Sequence, residues 1–341
     1  MSYQLKHITD KEEWEGFITS HPEANFLQSW NYANCYKNLG NKIFTIAIYK
    51  KNKLHAAAFI LKEKAKRGTY LSIAGGPILD YTDQPLFNYL TKQLRQLAKQ
   101  EKALFIRIRP NTINNQTIQK CLKTSGWIPS PVNLEAELTL MIDLTKTQDQ
   151  LIKEMKKNTR YEIRRAPKFN ITTTVSTRLT DLEQFCNLQE ELGKKQGFTP
   201  FSTKLLIQQF KELSKDNQVA LINAYQDKTL LASAYIIFYN QKAAYHYGIS
   251  THANHRLPGS YAVQQRVIEE AQKRGIKQYN LWGGLVPEGF EGEHRYKGVD
   301  HFKRGFGGEE IRFTPAHDLV VSPLYYLTKY FELFRKKRRG L

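Results

Sequence analysis

One order of hydrophobic patterns occurs twice along this chain, and it limits the possible folds more than any single motif does. In the first half, Lys42–Lys50 and Leu54–Lys62 read as strands about the polar turn KKNK. Thr69–Ile73 reads as a third strand ahead of Gly75-Gly76-Pro77, Gln84–Lys102 as a helix, Ala103–Ile108 as a strand and Asn114–Thr124 as a helix. In the second half, Gln218–Tyr225 and Leu230–Tyr239 read as a hairpin about QDKT. Lys242–Ile249 follows as the third strand, Gly259–Arg274 as the helix and Gln278–Trp282 as a short strand. Short apolar runs bounded by Gly, Asn and Asp are what half-buried strands require, and apolar residues three and four apart are what helices require. An internal duplication is the economical explanation, and it rests on element order alone. Extra helices at Leu179–Lys195 and Thr203–Lys215 open the second half, and Asp143–Thr147 reads as the link. At 341 residues the chain suits two domains better than one core.

Ahead of the repeat, Asp10–Ile18 reads as a helix capped by Thr9 or Asp10. Asn25–Asn38 reads as another, with Phe26, Trp30, Ala33 and Tyr36 on its apolar side and Lys37 on the far side. Lys37 is a solvent lysine on a half-buried helix or a ligand-holding cation. No apolar run is long enough to span a bilayer, and the acidic N-terminal stretch lacks a signal-peptide core, so a cytoplasmic protein is expected. Three scattered cysteines, Cys35, Cys121 and Cys186, show no metal spacing and read as reduced thiols with no zinc.

The formal net charge of +19 favours anionic partners: nucleic acid, anionic lipid or phosphorylated small molecules. Lys153–Arg165 concentrates it. Read as one helix ended by Pro167, it places Ile152, Met155, Thr159 and Ile163 on one face and Lys156, Arg160 and Arg164 in a row on another, with Lys153 and Lys157 beside them. Cations about 6 Å apart can follow successive phosphates, although such rows are often only solvated faces. Later, Gly292–Pro315 interleaves the aromatics Tyr296, Phe302 and Phe306 with Lys297, Lys303 and Arg304. Gly298, Gly305, Gly307 and Gly308 let its backbone approach something closely. Cations beside aromatic walls suit an anion or a developing oxyanion, because a partly dry site strengthens each charge interaction. A basic surface hairpin with turn glycines would carry the same residues.

Two resemblances sharpen this reading. Arg256-Leu257-Pro258-Gly259-Ser260-Tyr261 resembles the loop with which GNAT-type N-acetyltransferases hold the pyrophosphate of coenzyme A, except that Tyr261 stands where a small residue is expected. An ordinary Pro-Gly turn with Ser260 capping the helix fits the same letters. More specifically, the segment Gln28-Ser29-Trp30, the basic helix, YHYGIS from Tyr245, SYAVQQRVIEEA from Ser260, YNLWGGL from Tyr279 and FKRGFGGEE from Phe302 followed by HDLVVSPLYY resemble the Fem family of peptidoglycan-bridge aminoacyltransferases, over nearly the whole chain. The resemblance implies an α/β (α+β) fold of two GNAT-like domains, residues 1–145 plus the tail 317–341 and residues 146–316, without the coiled-coil arm of some members.

It also implies a reaction: transfer of an amino acid from aminoacyl-tRNA to an amine on the stem peptide of a peptidoglycan precursor, either UDP-MurNAc-pentapeptide or lipid II. No cofactor and no metal are implied, and a monomer is expected. Lys303 matches the family's lysine that faces the site of this reaction, which implies a catalytic role in stabilising the oxyanion or the tRNA terminus. Phe302 and Arg304 flank it, Tyr247 resembles an acceptor-contacting aromatic, and Lys37 lies near a lysine that holds precursor phosphates. The basic stretch, Lys156, Lys157, Arg160, Arg164 and Arg165, falls to the tRNA. Departures matter too: Arg109-Pro110 replaces an Asp-Pro pair of several relatives, and Pro200-Phe201 follows Gly197-Phe198-Thr199 where some have a basic phosphate ligand. The general base is not identified, with Glu309 and Glu310 as candidates. A coenzyme A-dependent N-acyltransferase and a non-catalytic tRNA-binding or membrane-surface protein stay open as alternatives.

In the tail, Leu324, Leu327, Phe331 and Phe334 share a helical face that suits packing on the first domain. The basic cluster Arg335–Arg339 suits peripheral association with the inner face of an anionic membrane.

Overall fold

The computed structural model describes residues 3–66, 68–196, 200–287 and 296–338. In chain order it runs β1 (Gln4–His7), α1 (Lys11–Thr19), α2 (Trp30–Asn38), β2 (Ile43–Lys50), β3 (Lys53–Ala65), β4 (Gly68–Ala74), β5 (Ile78–Leu79), α3 (Gln84–Gln100), β6 (Phe105–Arg109), α4 (Gln116–Thr124) and β7 (Ile128–Pro129). Then come β8 (Leu138–Asp143), α5 (Gln148–Glu154), α6 (Lys157–Arg165), β9 (Ile171–Ser176), α7 (Leu179–Gln196), α8 (Thr203–Ser214), β10 (Val219–Gln226), β11 (Thr229–Tyr239), β12 (Lys242–Ser250), α9 (Gly259–Lys273) and β13 (Gln278–Asn280). The chain closes with α10 (Lys297–Arg304), β14 (Glu309–Arg312), β15 (His317–Val320) and α11 (Tyr325–Arg338).

Two sheets form, and their orders match place for place. The first is β1-β2-β3-β4-β6-β15-β7, with β5 also against β3; the second, read from its far end, is β9-β10-β11-β12-β13-β8-β14. In each, an edge strand and a hairpin lead to a third strand, whose next neighbour lies parallel to it after a helical crossover: β4 with β6 and β12 with β13. The duplication expected from element order is therefore seen in the sheets.

The boundary between the halves differs from expectation. Leu138–Asp143 precedes the expected link at Asp143–Thr147, yet it is a strand of the second sheet, pairing Ile142 with Tyr279 and Met141 with Asn280. Its Leu140 and Ile142 become buried there. The units are residues 1–137 with 312–341, and residues 138–311, rather than a break at 145 and 316. The tail does return to the first unit: β15 pairs with β6, His317 opposite Ile108.

In the first unit, α3 starts on an Asp83 cap with Pro85 in its opening turn, and it lays Leu86, Leu90 and Leu94 on the sheet beside Ile46, Ile60, Ile73 and Ile106. Each such buried aliphatic side chain contributes about 2 kcal/mol. Asn25–Asn38 is not one helix. Phe26–Gln28 makes a single 3₁₀ turn, and Ser29 caps α2 by accepting from the Tyr32 amide. The break frees Gln28, which is fully buried, to patch the sheet: its amide nitrogen donates to Ala74 O (2.7 Å) and its oxygen accepts from Phe59 N (2.8 Å). A side-chain amide thus stands in for a peptide where β4 and β5 leave β3 unpaired between them.

In the second unit, α9 lays Val263, Val267, Ile268 and Ala271 against Ala220, Ile222, Ala234 and Ile236. The expected helix over Lys153–Arg165 is two helices. Met155 and Lys156 are extended between α5 and α6, Met155 is buried, and the Lys156 amide donates to Gly305 O (2.8 Å).

Candidate active site

The second sheet opens where β12 and β13 part. Their parallel pairing ends at Ala244 opposite Asn280, while β12 continues along β11 to Ser250. His246 is the extra residue of a bulge, between Tyr247 opposite Tyr235 and Tyr245 opposite Ile236. Bulges turn side chains out of strict alternation and recur beside functional sites. Here Tyr247 packs at a tilt against His246 (3.9 Å between rings) and Phe201 (4.2 Å), and His246 meets Trp282 edge-on. Burial pushes the His246 imidazole down to about 3, so it is neutral at physiological pH.

Across the opening the chain turns sharply. Trp282 has left-handed backbone (φ 58°), steadied by its amide donating to Asn280 Oδ1 (2.7 Å). A bulky residue in that region costs on the order of 1 kcal/mol and marks a constrained turn. The turn directs Leu281 O and Gly283 O at Lys303 Nζ, which donates to both at 2.6 Å. The same ammonium lies 5.2 Å from the centre of the Tyr245 ring on β12, so it bridges the parted strands. Lys303 is only 7% exposed, and burial pushes its ammonium down to about 8. Its two carbonyl acceptors favour the charged form, so the group is mostly protonated at neutral pH. An ammonium has three donors, and two are spent here. Among the described residues no carboxylate bonds it.

The remaining residues of α10 strap the same turn. Asp300 accepts from Val286 N (3.0 Å), and Arg304 donates to Val286 O, to Asp300 and to Glu310. Arg304, expected at the substrate, is thus held by carboxylates of its own unit. Phe302 packs with Phe306 and Tyr261, a core trio rather than an exposed wall. Glu310 is taken by Arg304, and Glu309 is exposed on β14. The glycines of GFGG do allow a close approach, but to the protein itself. A Cβ at Gly308 (φ 89°) would stand 2.7 Å from Met141 O, one at Gly307 3.1 Å from Glu154 O, and one at Gly305 would strike Thr159 Oγ1. The segment is the seat of the α5–α6 break and of β8. Its expected start, Gly292–Arg295, lies outside the described residues, as do Gly197-Phe198-Thr199.

The basic stretch divides. Lys156, Lys157 and Arg164 are exposed. Arg160 turns back to Met155 O (2.5 Å) and Lys153 O, and Arg165 is tied to Glu162 and to Arg256 O while stacking on Phe169. In the Arg256 loop Ser260 does not cap α9; it accepts from Asn254 Nδ2 (3.0 Å).

Described by itself, the first unit holds Lys37, exposed in the last turn of α2. It also holds a cluster that the sequence did not flag. Arg109, 1% exposed, donates to Asn111 Oδ1 (2.8 Å) and stacks on Phe313, and Glu135 and Glu137 act on its charge. Burial pushes the Glu135 carboxyl up to about 7 although Arg109 pulls it down. The signal was the Arg-Pro pair itself, read only as a lost carboxylate.

Comparison with known proteins agrees with this architecture. A family model described as the FemAB family matches residues 9–126 and 202–333. A lipid II:glycine glycyltransferase of Staphylococcus aureus is 27% identical over 204 residues, which cover 56% of this chain and 48% of that relative, so the chain spans about half the length of the curated relatives it matches. Among solved structures, FemX superposes with a TM-score of 0.84 at 20% identity, over 96% of this chain and 100% of the other. A tandem GNAT protein from the clavulanic acid biosynthesis pathway gives 0.60 at 10% identity, over 94% and 99%. Both units are GNAT-like in fold.

Proposed function

The chain belongs to the FemAB family, and on that premise we propose that it is an aminoacyltransferase that moves an amino acid from aminoacyl-tRNA to an amine of a peptidoglycan precursor's stem peptide. The observation that carries this reading is the buried Lys303 ammonium between parted strands, with one donor unspent among the described residues. In the reaction the neutral amine attacks the ester carbonyl and a tetrahedral oxyanion forms. The new C–N bond stays, the C–O bond to ribose breaks, and the amine's proton ends on the ribose oxygen. Lys303 stabilises the oxyanion through its third N–H, in a site dry enough for that bond to count. His246 is a poor proton acceptor at neutral pH, so proton transfer within the substrates fits best.

In this reading Tyr247, Phe201 and Trp282 form the wall for the acceptor, and Lys156, Lys157 and Arg164 meet tRNA phosphates. The first unit binds the precursor, with Lys37 at its phosphates; a lipid-linked precursor would be met at the inner membrane face. The S. aureus relative's name, lipid II:glycine glycyltransferase, supports a precursor of this class. Incubation with a mixed aminoacyl-tRNA pool and with both UDP-MurNAc-pentapeptide and lipid II, read by product mass, tests it. One precursor should gain the mass of an amino-acid residue. No gain on either, or acetylation of an amine from acetyl-coenzyme A, would overturn it.

A further inference from the structure

Helix α11 is inside out. Its inward face is polar or hydrogen-bonded: Glu332 pairs with Arg107 (2.9 Å), Thr328 is buried, and the buried Tyr325 donates to Asp318 (2.9 Å). Its outward face is apolar. Leu327 is 69% exposed, Tyr330 68% and Phe334 64%, and Leu324 and Tyr326 beside them are also exposed. A helix normally turns that stripe to the core, so the packing on the first unit expected from the sequence is not what this face does. The last turn carries Arg335, Lys336, Lys337 and Arg338, all exposed, while Arg339 lies outside the described residues.

We propose that α11 docks the protein on an anionic lipid bilayer, lying along the surface with Leu327, Tyr330 and Phe334 among the acyl chains and Arg335–Arg338 at the phosphates. Charge complementarity selects this occupant. The single carboxylate of α11, Glu332, is spent on Arg107, so a second copy's α11 brings no anion to the four cations. Nucleic acid would meet the cations and leave the apolar face in water. An anionic bilayer satisfies both at once. At 14 residues the helix is about 21 Å long, too short to span, so it lies on the membrane.

Flotation with phosphatidylcholine vesicles, with and without phosphatidylglycerol, tests this on the full chain. The protein should float with the anionic vesicles, salt should release it, and Tyr330→Trp should blue-shift its fluorescence on binding. Leu327→Asp with Phe334→Asp should cut binding about tenfold or more. Both sites are exposed, so folding should be unaffected, and an unchanged circular dichroism spectrum checks that. Transfer to a soluble nucleotide-linked precursor, measured alongside, should not change, which separates this idea from the proposed reaction. The proposal is overturned if the wild-type protein floats with neither vesicle, if the double variant floats as well as wild type, or if light scattering shows a dimer that the double variant dissolves without any vesicle binding.

Discussion

The two units close gaps in matching sheets with different groups, at neighbouring rather than equivalent places: between the third and fourth strands of the first sheet and between the fourth and fifth of the second. In the first, the neutral amide of Gln28 fills the gap beside β4, and both of its ends are bonded to backbone. In the second, the cation of Lys303 fills the parting of β12 and β13, bonded to two carbonyls with a donor left over among the described residues. A satisfied amide can only hold strands together; a buried ammonium with spare capacity can also answer a charge that appears later. Duplication supplied the frame twice, and the two fillings differ in what they leave unspent.

Breaking the second filling should have the largest effect. Lys303→Met is expected to lower transfer by about 10²-fold or more in a single-turnover assay, while exposing two carbonyl groups at a cost of about 1–2 kcal/mol. Transfer within threefold of wild type would leave Lys303 a strap for the 281–286 turn and nothing more. Breaking the first filling should do the opposite. Gln28→Leu strands a buried amide and a buried carbonyl and should cost about 2–4 kcal/mol in urea unfolding, with the rate per folded molecule unchanged. A matching loss of rate would erase the contrast between the units.

A smaller effect sharpens it. If Lys37 serves the precursor's phosphates and the basic stretch serves the tRNA, Lys37→Ala should raise KM for the precursor alone. Lys156, Lys157 and Arg164 changed together to Ala should raise KM for tRNA alone and lower the slope of log affinity against log salt by about 2–3. Both variants raising the same KM would refute the division.

Smallest are two opposed pH signatures. Burial lowers the folded Lys303 from 10.5 to about 8, so between those values the unfolded chain binds more proton, and stability is gained as pH rises from 8 toward 10.5. Burial raises Glu135 from 4.5 to about 7, so its contribution is present below 4.5 and lost as pH rises to 7. Unfolding free energies of wild type minus Lys303→Met, and of wild type minus Glu135→Gln, should slope in those opposite senses; parallel slopes would contradict the burial of one group.

What the sequence disclosed and withheld follows from range. Both hairpins, the crossover helices and a cap at Thr9 or Asp10, which is Asp10, were legible because their causes lie within a few residues. The strand nature of Leu138–Asp143 was not, since β13, its partner, comes far later in the chain. Nor was the break at Lys156, a residue compatible with helix whose amide is claimed by Gly305. Arg109 looked like a lost acid because nothing local announces that an arginine will be buried. In α11, periodicity grouped Leu327 with Phe334 correctly, but a period says which residues share a face and not which way that face points. The Lys303 segment was legible as aromatic, basic and glycine-rich; that its glycines serve the α5–α6 seat was not.

The late position of β15 in the chain also bears on how the molecule is made. Residues 138–311 form an unbroken stretch, whereas the first unit needs β15, which sits in its sheet between β6 and β7. As the chain leaves the ribosome, the earlier-synthesised unit must wait with that place vacant while the later one can close. The N-terminal unit is thus finished only once His317–Val320 has left the ribosome, just behind the last strand of the second unit, Glu309–Arg312.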